Sequence, residues 1–394
     1  MKKAMIMGSL VLDITPSLRS PDVRRIDDIF VQGKVTELKN VAFYMGGCVG
    51  NTGLALHKLG IPTTLCGKVG EDFAGNAIEL LIHHEGIPFQ LSRMADVPTA
   101  VSVAVTPPGL DKITLFLRGA SQEYDSKDVE TLPDVDLFHF GYPVTMKRLY
   151  ANGGEELVRM YQKVREAGIT TSLDTALPRP DSEPGQVNWR PILERVLPYV
   201  DIFVPSFEEC LFMLDREAYC ERLREAAGAD IIDSLRWEEV RTIADAFLRM
   251  GAKVVLLKLG SCGMYLRTAD EARLAQAGPV FRDCAADWAG RELWIFPNAV
   301  EQIVSTTGAG DVGIAGFLAT ALRGGSPVQA LHVATTASSL CIQSSDTTSL
   351  LRPYDEIAEL AKPAKRTVKL SLPEDQWRAG DCAGMFYGSG DCAF

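Results

Sequence analysis

The stretch VSTTGAGDVGIAGFLATAL, Val304 to Leu322, sets Gly308-Ala309-Gly310-Asp311 directly before a run of apolar and small residues. Gly308 and Gly310 permit backbone conformations that turn successive N–H groups into one concavity. The apolar run reads as a buried helix starting near Asp311. Its first turn adds unpaired N–H donors and the positive end of the helix dipole, a combination that gathers anionic oxygens. In that turn the Asp311 carboxylate is favoured in its ionised form and can accept a proton. An anion cradle beside an ionised base is what transfer of a phosphoryl group to a hydroxyl requires. The same residues also suit a plain helix cap with glycines for tight packing. No Gly-Lys-Ser/Thr follows, so this is not a Walker A loop.

Two further places invite chemistry. In MGGCVGNTGLALHKLG, Met45–Gly60, the pair Gly46-Gly47 lets a ligand approach the backbone. Asn51, at a helix start, offers a donor and an acceptor, as a sugar hydroxyl does; an ordinary helix cap is the other reading. Asp13 ends the first apolar run, which places it at the carboxyl edge of a sheet, where it could accept two hydroxyls. A strand-ending surface carboxylate fits that position equally well.

Positioning these groups takes alternating elements. Ala4–Leu12, Thr63–Val69, Leu137–Phe140, Ile169–Leu173, Ile202–Val204 and Val254–Lys258 read as strands. Asn51–Leu59, Phe73–His84, Gly154–Ala167, Pro191–Leu197 and Trp237–Met250 read as helices between them. The alternation predicts an α/β fold, a parallel sheet with helices on both faces, which binds ligands at the carboxyl ends of its strands. Arg24–Tyr44 and Thr99–Arg118 break the pattern; the second reads as two strands around PPGLDK. They predict a small β-layer, either a lid or a packed edge hairpin. Leu211–Leu235 reads as a charged surface insertion, and Asp283–Pro297, with its two tryptophans, as an irregular loop. The tail from Ser371, which repeats GDCA at Gly380–Ala383 and Gly390–Ala393, reads as a loose surface segment.

At 394 residues the chain fits one large α/β domain with an attachment. A net charge of −11 disfavours nucleic acid as a partner. Nine scattered cysteines without a CxxC pair read as free thiols in a reducing compartment. The N-terminal apolar run is short, interrupted by Gly8 and Ser9 and ended by Asp13, which suits a buried strand better than a signal peptide. No stretch approaches the roughly 20 apolar residues of a membrane span. A cytoplasmic protein with no membrane partner is expected.

Seven motifs, in order, resemble the ribokinase-like, PfkB-type family of carbohydrate kinases: GSLVLD, GGCVGNTGLALHKLG, GKVGEDFAG, LRGASQEYDSKDV, DIFVPSFEE, VVLLKLGSCG and STTGAGDVGIAGFL. The resemblance covers residues 4–360. It implies a three-layer α/β/α sandwich with a mostly parallel central sheet and a small β-sheet lid. The domain would span 1–365, with lid segments near 15–45 and 98–120 and an extension over 366–394. Asp311 would be the catalytic base and the backbone of Gly308, Ala309 and Gly310 the anion hole. Asp13, Gly46, Gly47 and Asn51 would hold the acceptor. Lys258, Gly260, Gly263 and Thr307 would line the nucleotide side, and Glu209 would organise Mg²⁺ through water. The implied partners are ATP, Mg²⁺, a sugar or nucleoside acceptor, and a second copy docked through the lid. A catalytically weak sugar-binding protein on the same fold is the alternative from another class. Four departures bear on this. Ser305 replaces an Asp that contributes to the potassium site in some members, which leaves monovalent-cation activation in doubt. Ser206 replaces the Asn of Pro-Asn-x-x-Glu, Val312-Gly313 replaces Ala-Phe, and CIQSSDTTS lacks the usual Gly-Ala turn.

Overall fold

The first apolar run does not remain one strand. In the computed structural model, which describes residues 1–19, 25–105, 113–362, 365–380 and 382–394, it splits into Ala4–Gly8 and Val11–Leu18. These two strands belong to different sheets. Gly8 makes the break, with φ at +131°, and a Cβ there would lie 2.4 Å from the Gly141 carbonyl oxygen. Asp13 therefore lies inside the second strand and not at the carboxyl end of the first, as its sequence position suggested.

Among the described residues the larger sheet has eleven strands. Seven are parallel, in the order Val254–Lys258, Ile202–Phe203, Thr170–Asp174, Leu137–Gly141, Ala4–Gly8, Thr63–Gly70, Phe89–Met94. Beyond Val254–Lys258 the sheet continues antiparallel through Met264–Thr268, Glu292–Ile295, Met385–Gly388 and Trp377–Ala379. Alternate residues of each strand feed two separate cores. Ala4, Ile6, Val254 and Leu256 pack on one side, and Met5, Met7, Val255 and Leu257 on the other. Burial on both faces explains why these strands read as continuous apolar runs. The first core includes the helices Ala309–Leu322 and Pro327–Cys341, and the second the helices Glu155–Glu166 and Trp237–Met250. Ala309–Leu322 is buried from Asp311 to Leu322, in keeping with a run that is apolar all round.

A second sheet of four strands runs Leu38–Gly46, Val11–Leu18, Val101–Val105, Ile113–Leu117. It is the β-layer expected from the two irregular segments, and Val41, Phe43, Leu115, Phe116 and Leu117 are exposed on it. Arg24 and the PPGLDK turn lie outside the described residues.

Two further expectations fail and a third holds in part. Asp283–Pro297 is not irregular: it forms a helical turn, Ala285–Trp288, and the strand Glu292–Ile295, with Trp288 and Trp294 wholly buried. Leu211–Leu235 does carry a charged helix, Arg216–Ala226, yet Leu211, Tyr219, Ile231, Ile232 and Leu235 pin it to the core. The tail is not loose. Met385–Gly388 pairs with Glu292–Ile295, Trp377 and Met385 are buried, and Arg291 holds Asp391 at 3.0 Å. Of the two GDCA segments, Asp381 lies outside the described residues, while Asp391 serves this structural pairing. All nine cysteines are free. Among the described residues no helix is long and apolar enough to cross a membrane.

Candidate active site

Gly308 (φ +77°) turns the chain into the Ala309–Leu322 helix. A Cβ there would stand 2.3 Å from Thr347 Cγ2, so both the conformation and the contact require glycine. Gly308, Ala309, Gly310 and Asp311 share the wall of a cavity of about 700 Å³. One of the three expected amides is already engaged: Ala309 N–H donates to the Thr306 carbonyl at 3.3 Å.

Asp311 is 4% exposed. Its Oδ2 accepts from Asn51 Nδ2 at 2.9 Å and its Oδ1 from Thr52 Oγ1 at 3.2 Å. The Tyr142 hydroxyl lies 2.8 Å from Oδ1 and 2.7 Å from Oδ2. Burial pushes the carboxyl above its ordinary pKa, opposed by the hydrogen bond from Tyr142, the Lys258 ammonium, and the bonds from Asn51 and Thr52.

The parallel strands Thr170–Asp174 and Val254–Lys258 end at the same sheet edge and deliver an ion pair, with Lys258 Nζ 2.7 Å from Asp174 Oδ1. Burial and the neighbouring Glu209 and Asp311 carboxylates push Asp174 up to about 8, while Lys258 favours its ionised form. The nearby carboxylates raise the Lys258 pKa despite burial. Asp174 Oδ2 is buried with no hydrogen-bond partner among the described residues. Glu209 closes a capping box at the start of the Phe207–Leu214 helix: its Oε2 accepts from Ser206 N at 2.9 Å, and its own N–H donates to Ser206 Oγ at 3.4 Å. Thr175 Oγ1 donates to the same Oε2 at 2.7 Å. Ser206, the departure from the usual Asn, is thus a competent helix cap.

Asp13 is half-buried in the small sheet. A Cβ on Gly46 would lie 2.0 Å from Asp13 Oδ2, so the absent side chain makes room for that carboxylate. A Cβ on Gly47 would lie 2.3 Å from the Ser9 carbonyl oxygen. Asn51 sits in the π-turn Val49–Gly53, 7% exposed.

The cavity wall thus holds Asp311, Gly308, Ala309, Gly310, Lys258, Gly260, Gly263 and Glu209. Asp13, Gly46, Gly47 and Asn51 lie off that wall, with Asn51 linked to it through Asp311. Thr307 is exposed, and Thr306 takes its expected place on the wall. At Gly313, Ser338 Oγ and Met264 Cε stand 2.5 and 2.7 Å from where a Cβ would project, so neighbours fill the space of the missing aromatic residue. Sequence reasoning missed Tyr142, Thr52 and Asp174. Asp174 carried a signal, a carboxylate closing an apolar strand; Tyr142 and Thr52 carried none.

Residues 9–353 match the pfkB family carbohydrate kinase description. An uncharacterized sugar kinase of Archaeoglobus fulgidus is 24% identical over 273 residues, 69% of this chain and 87% of the relative. The structure of Arabidopsis thaliana ribokinase complexed with ribose and ATP aligns with a TM-score of 0.63 at 22% identity, covering 92% of this chain and 99% of that one. The nucleoside kinase of Methanocaldococcus jannaschii aligns with a TM-score of 0.62 at 17% identity, with the same coverage. Both likenesses show a shared ribokinase fold. Because the family match spans most of the chain, from before the Gly46-Gly47 cluster to beyond the Gly308–Asp311 junction, the chain belongs to the pfkB family of carbohydrate kinases.

Proposed function

We propose that this protein transfers the γ-phosphoryl group of ATP to a hydroxyl of a sugar or sugar-like metabolite. The observation that carries the reading is the buried Asp311 carboxylate, opening a helix whose Gly308–Gly310 turn shares one cavity wall with it. Asp311 takes the proton of the acceptor hydroxyl while the glycine turn and helix N-terminus stabilise charge on the transferred group. Lys258, with Gly260 and Gly263, faces the nucleotide phosphates. Asp13, Gly46 and Gly47 orient the acceptor's other hydroxyls, and Asn51 aligns the base.

Among the described residues no cluster of three or more His, Cys, Asp or Glu could hold a metal by itself. That suits Mg²⁺, which is usually bound by one or two carboxylates together with substrate phosphates and waters. Glu209 and the partnerless oxygen of Asp174 would hold it, and the ion would supply charge neutralisation on the phosphates.

The exposed apolar residues of the small sheet support a homodimer formed through the lid, which sedimentation of a Phe43→Glu variant tests. The free thiols support a cytoplasmic setting. The deciding experiment for function is ATP turnover with Mg²⁺ over a panel of sugars, sugar acids and nucleosides, with and without potassium. Turnover with a sugar supports the reading. Turnover with nucleosides alone replaces it by a nucleoside kinase. No turnover, with one sugar raising thermal stability, replaces it by a binding protein.

A further inference from the structure

Tyr142 follows the strand Leu137–Gly141 in a left-handed backbone, φ 67° and ψ 43°. A bulky residue adopts that conformation only where its surroundings impose it. Here they do: its N–H donates to the Asp174 carbonyl at 3.3 Å, and its own carbonyl accepts from Thr145 N at 3.0 Å and Thr145 Oγ1 at 2.8 Å. Held this way, the phenol reaches both oxygens of Asp311. Asn51 and Thr52 take one oxygen each. Of these three donors only Tyr142 lies on the cavity wall. A carboxylate has about four lone-pair directions. Three donors bring three protons, so one direction stays open, but the phenol's single proton sits between the two oxygens on the side that shares the cavity wall. An alcohol entering from the cavity reaches Asp311 only when the phenol moves.

We propose that Tyr142 guards the base: its hydroxyl keeps Asp311 aligned and occupied until the acceptor's hydroxyl replaces it. The inference rests on the reading of Asp311 as the base. A sugar bound through several hydroxyls brings binding energy to displace the phenol; a lone water does not. The guard therefore suppresses the side reaction in which water attacks the γ-phosphorus, the bond to the β–γ bridging oxygen breaks, and Asp311 takes the water's proton. Tyr142 stays a donor throughout, because burial and the Asp311 and Asp174 carboxylates hold its hydroxyl well above the ordinary phenol range. The other ionisable groups facing Asp311 are Lys258, Asp174 and the buried thiols Cys48 and Cys341.

The test compares the wild type with Tyr142→Phe for ATP hydrolysis without acceptor, acceptor-dependent turnover, and the pH profile of kcat/KM. Tyr142→Phe should raise the ratio of acceptor-free hydrolysis to kinase turnover about tenfold or more. It should also move the acid limb of kcat/KM up by about one pH unit, because a donor that favours the ionised carboxylate is gone. Tyr142→Asn, whose side chain tolerates the left-handed backbone, should raise the ratio likewise. A wild-type ratio in both variants overturns the guard, whatever the pH limb does. Asp311→Asn separates this failure from that of the reading beneath it. Full turnover there sinks the base and the guard together, whereas an inactive Asp311→Asn beside an unchanged Tyr142→Phe sinks the guard alone.

Discussion

Alanine at Gly308 should damage this protein twice, through stability and through turnover. The backbone there is left-handed, φ +77°, which costs an L-residue about 1–2 kcal/mol. The new Cβ would also stand 2.3 Å from Thr347 Cγ2, and relieving such overpacking costs roughly 1–3 kcal/mol. Gly308→Ala should therefore lose about 2–5 kcal/mol in total. The first turn of the Ala309–Leu322 helix must shift to make room. A displacement near 1 Å around the reacting groups lowers kcat by about 10²-fold. Two companion variants divide the effect. Thr347→Ser removes the clashing methyl, so Gly308→Ala/Thr347→Ser should recover the steric part and keep the backbone part. Gly310→Ala has no positive φ to satisfy and meets only the flexible Lys258 stem at 3.3 Å, so it should cost about 1 kcal/mol or less. Denaturant midpoints and kcat on an accepted sugar measure all four chains. Wild-type midpoint and turnover in Gly308→Ala, or no rescue from Thr347→Ser, would refute the geometry of the turn.

Other perturbations probe the rest of the site and the sheet. Asp174 titrates near 8 in the folded chain against 3.8 when unfolded, so its contribution to stability is complete below the lower value and is lost as pH rises through the upper one. Lys258→Met removes the cation that lets Asp174 ionise and drives its pKa higher still. The variant's stability deficit should grow by about 1.4 kcal/mol between pH 6 and pH 9 in isothermal urea titrations, and a deficit independent of pH would contradict the pairing. Gly46→Ala forces Asp13 aside and should raise KM for the acceptor about tenfold while leaving KM for ATP unchanged; an unchanged acceptor KM removes Asp13 from the acceptor site. Truncation after Ser371 strips the buried Trp377 and Met385, worth about 3–6 kcal/mol together, and uncovers the pairing edge of Glu292–Ile295. A soluble truncated chain that melts like the full one would be the contrary result.

What could be read from the sequence was local. The Gly308–Asp311 junction was legible because glycine spacing and helix onset lie within a few residues, and the parallel strands because burial on both faces makes them uniformly apolar. Asp13 was misplaced because Gly8-Ser9 reads as a brief interruption of one strand, whereas the chain changes sheets there, with Gly8 packed against Gly141, a residue far along the chain. Tyr142 escaped notice because its role depends on a backbone turn fixed by Asp174 and Thr145. The tail's two strands are three and four residues long, too short to show periodicity, and only the edge of Glu292–Ile295 makes them strands.

The most direct measurement is acceptor-dependent ADP formation by Asp311→Asn across pH. The amide preserves the size of the side chain and can still accept from Tyr142 and Thr52, so the variant should fold and bind the acceptor. Turnover should fall by about 10²–10⁴-fold. The acid limb set by Asp311, above the ordinary carboxylate range, should vanish from the residual rate. Wild-type turnover with the acid limb intact would show that another group takes the proton.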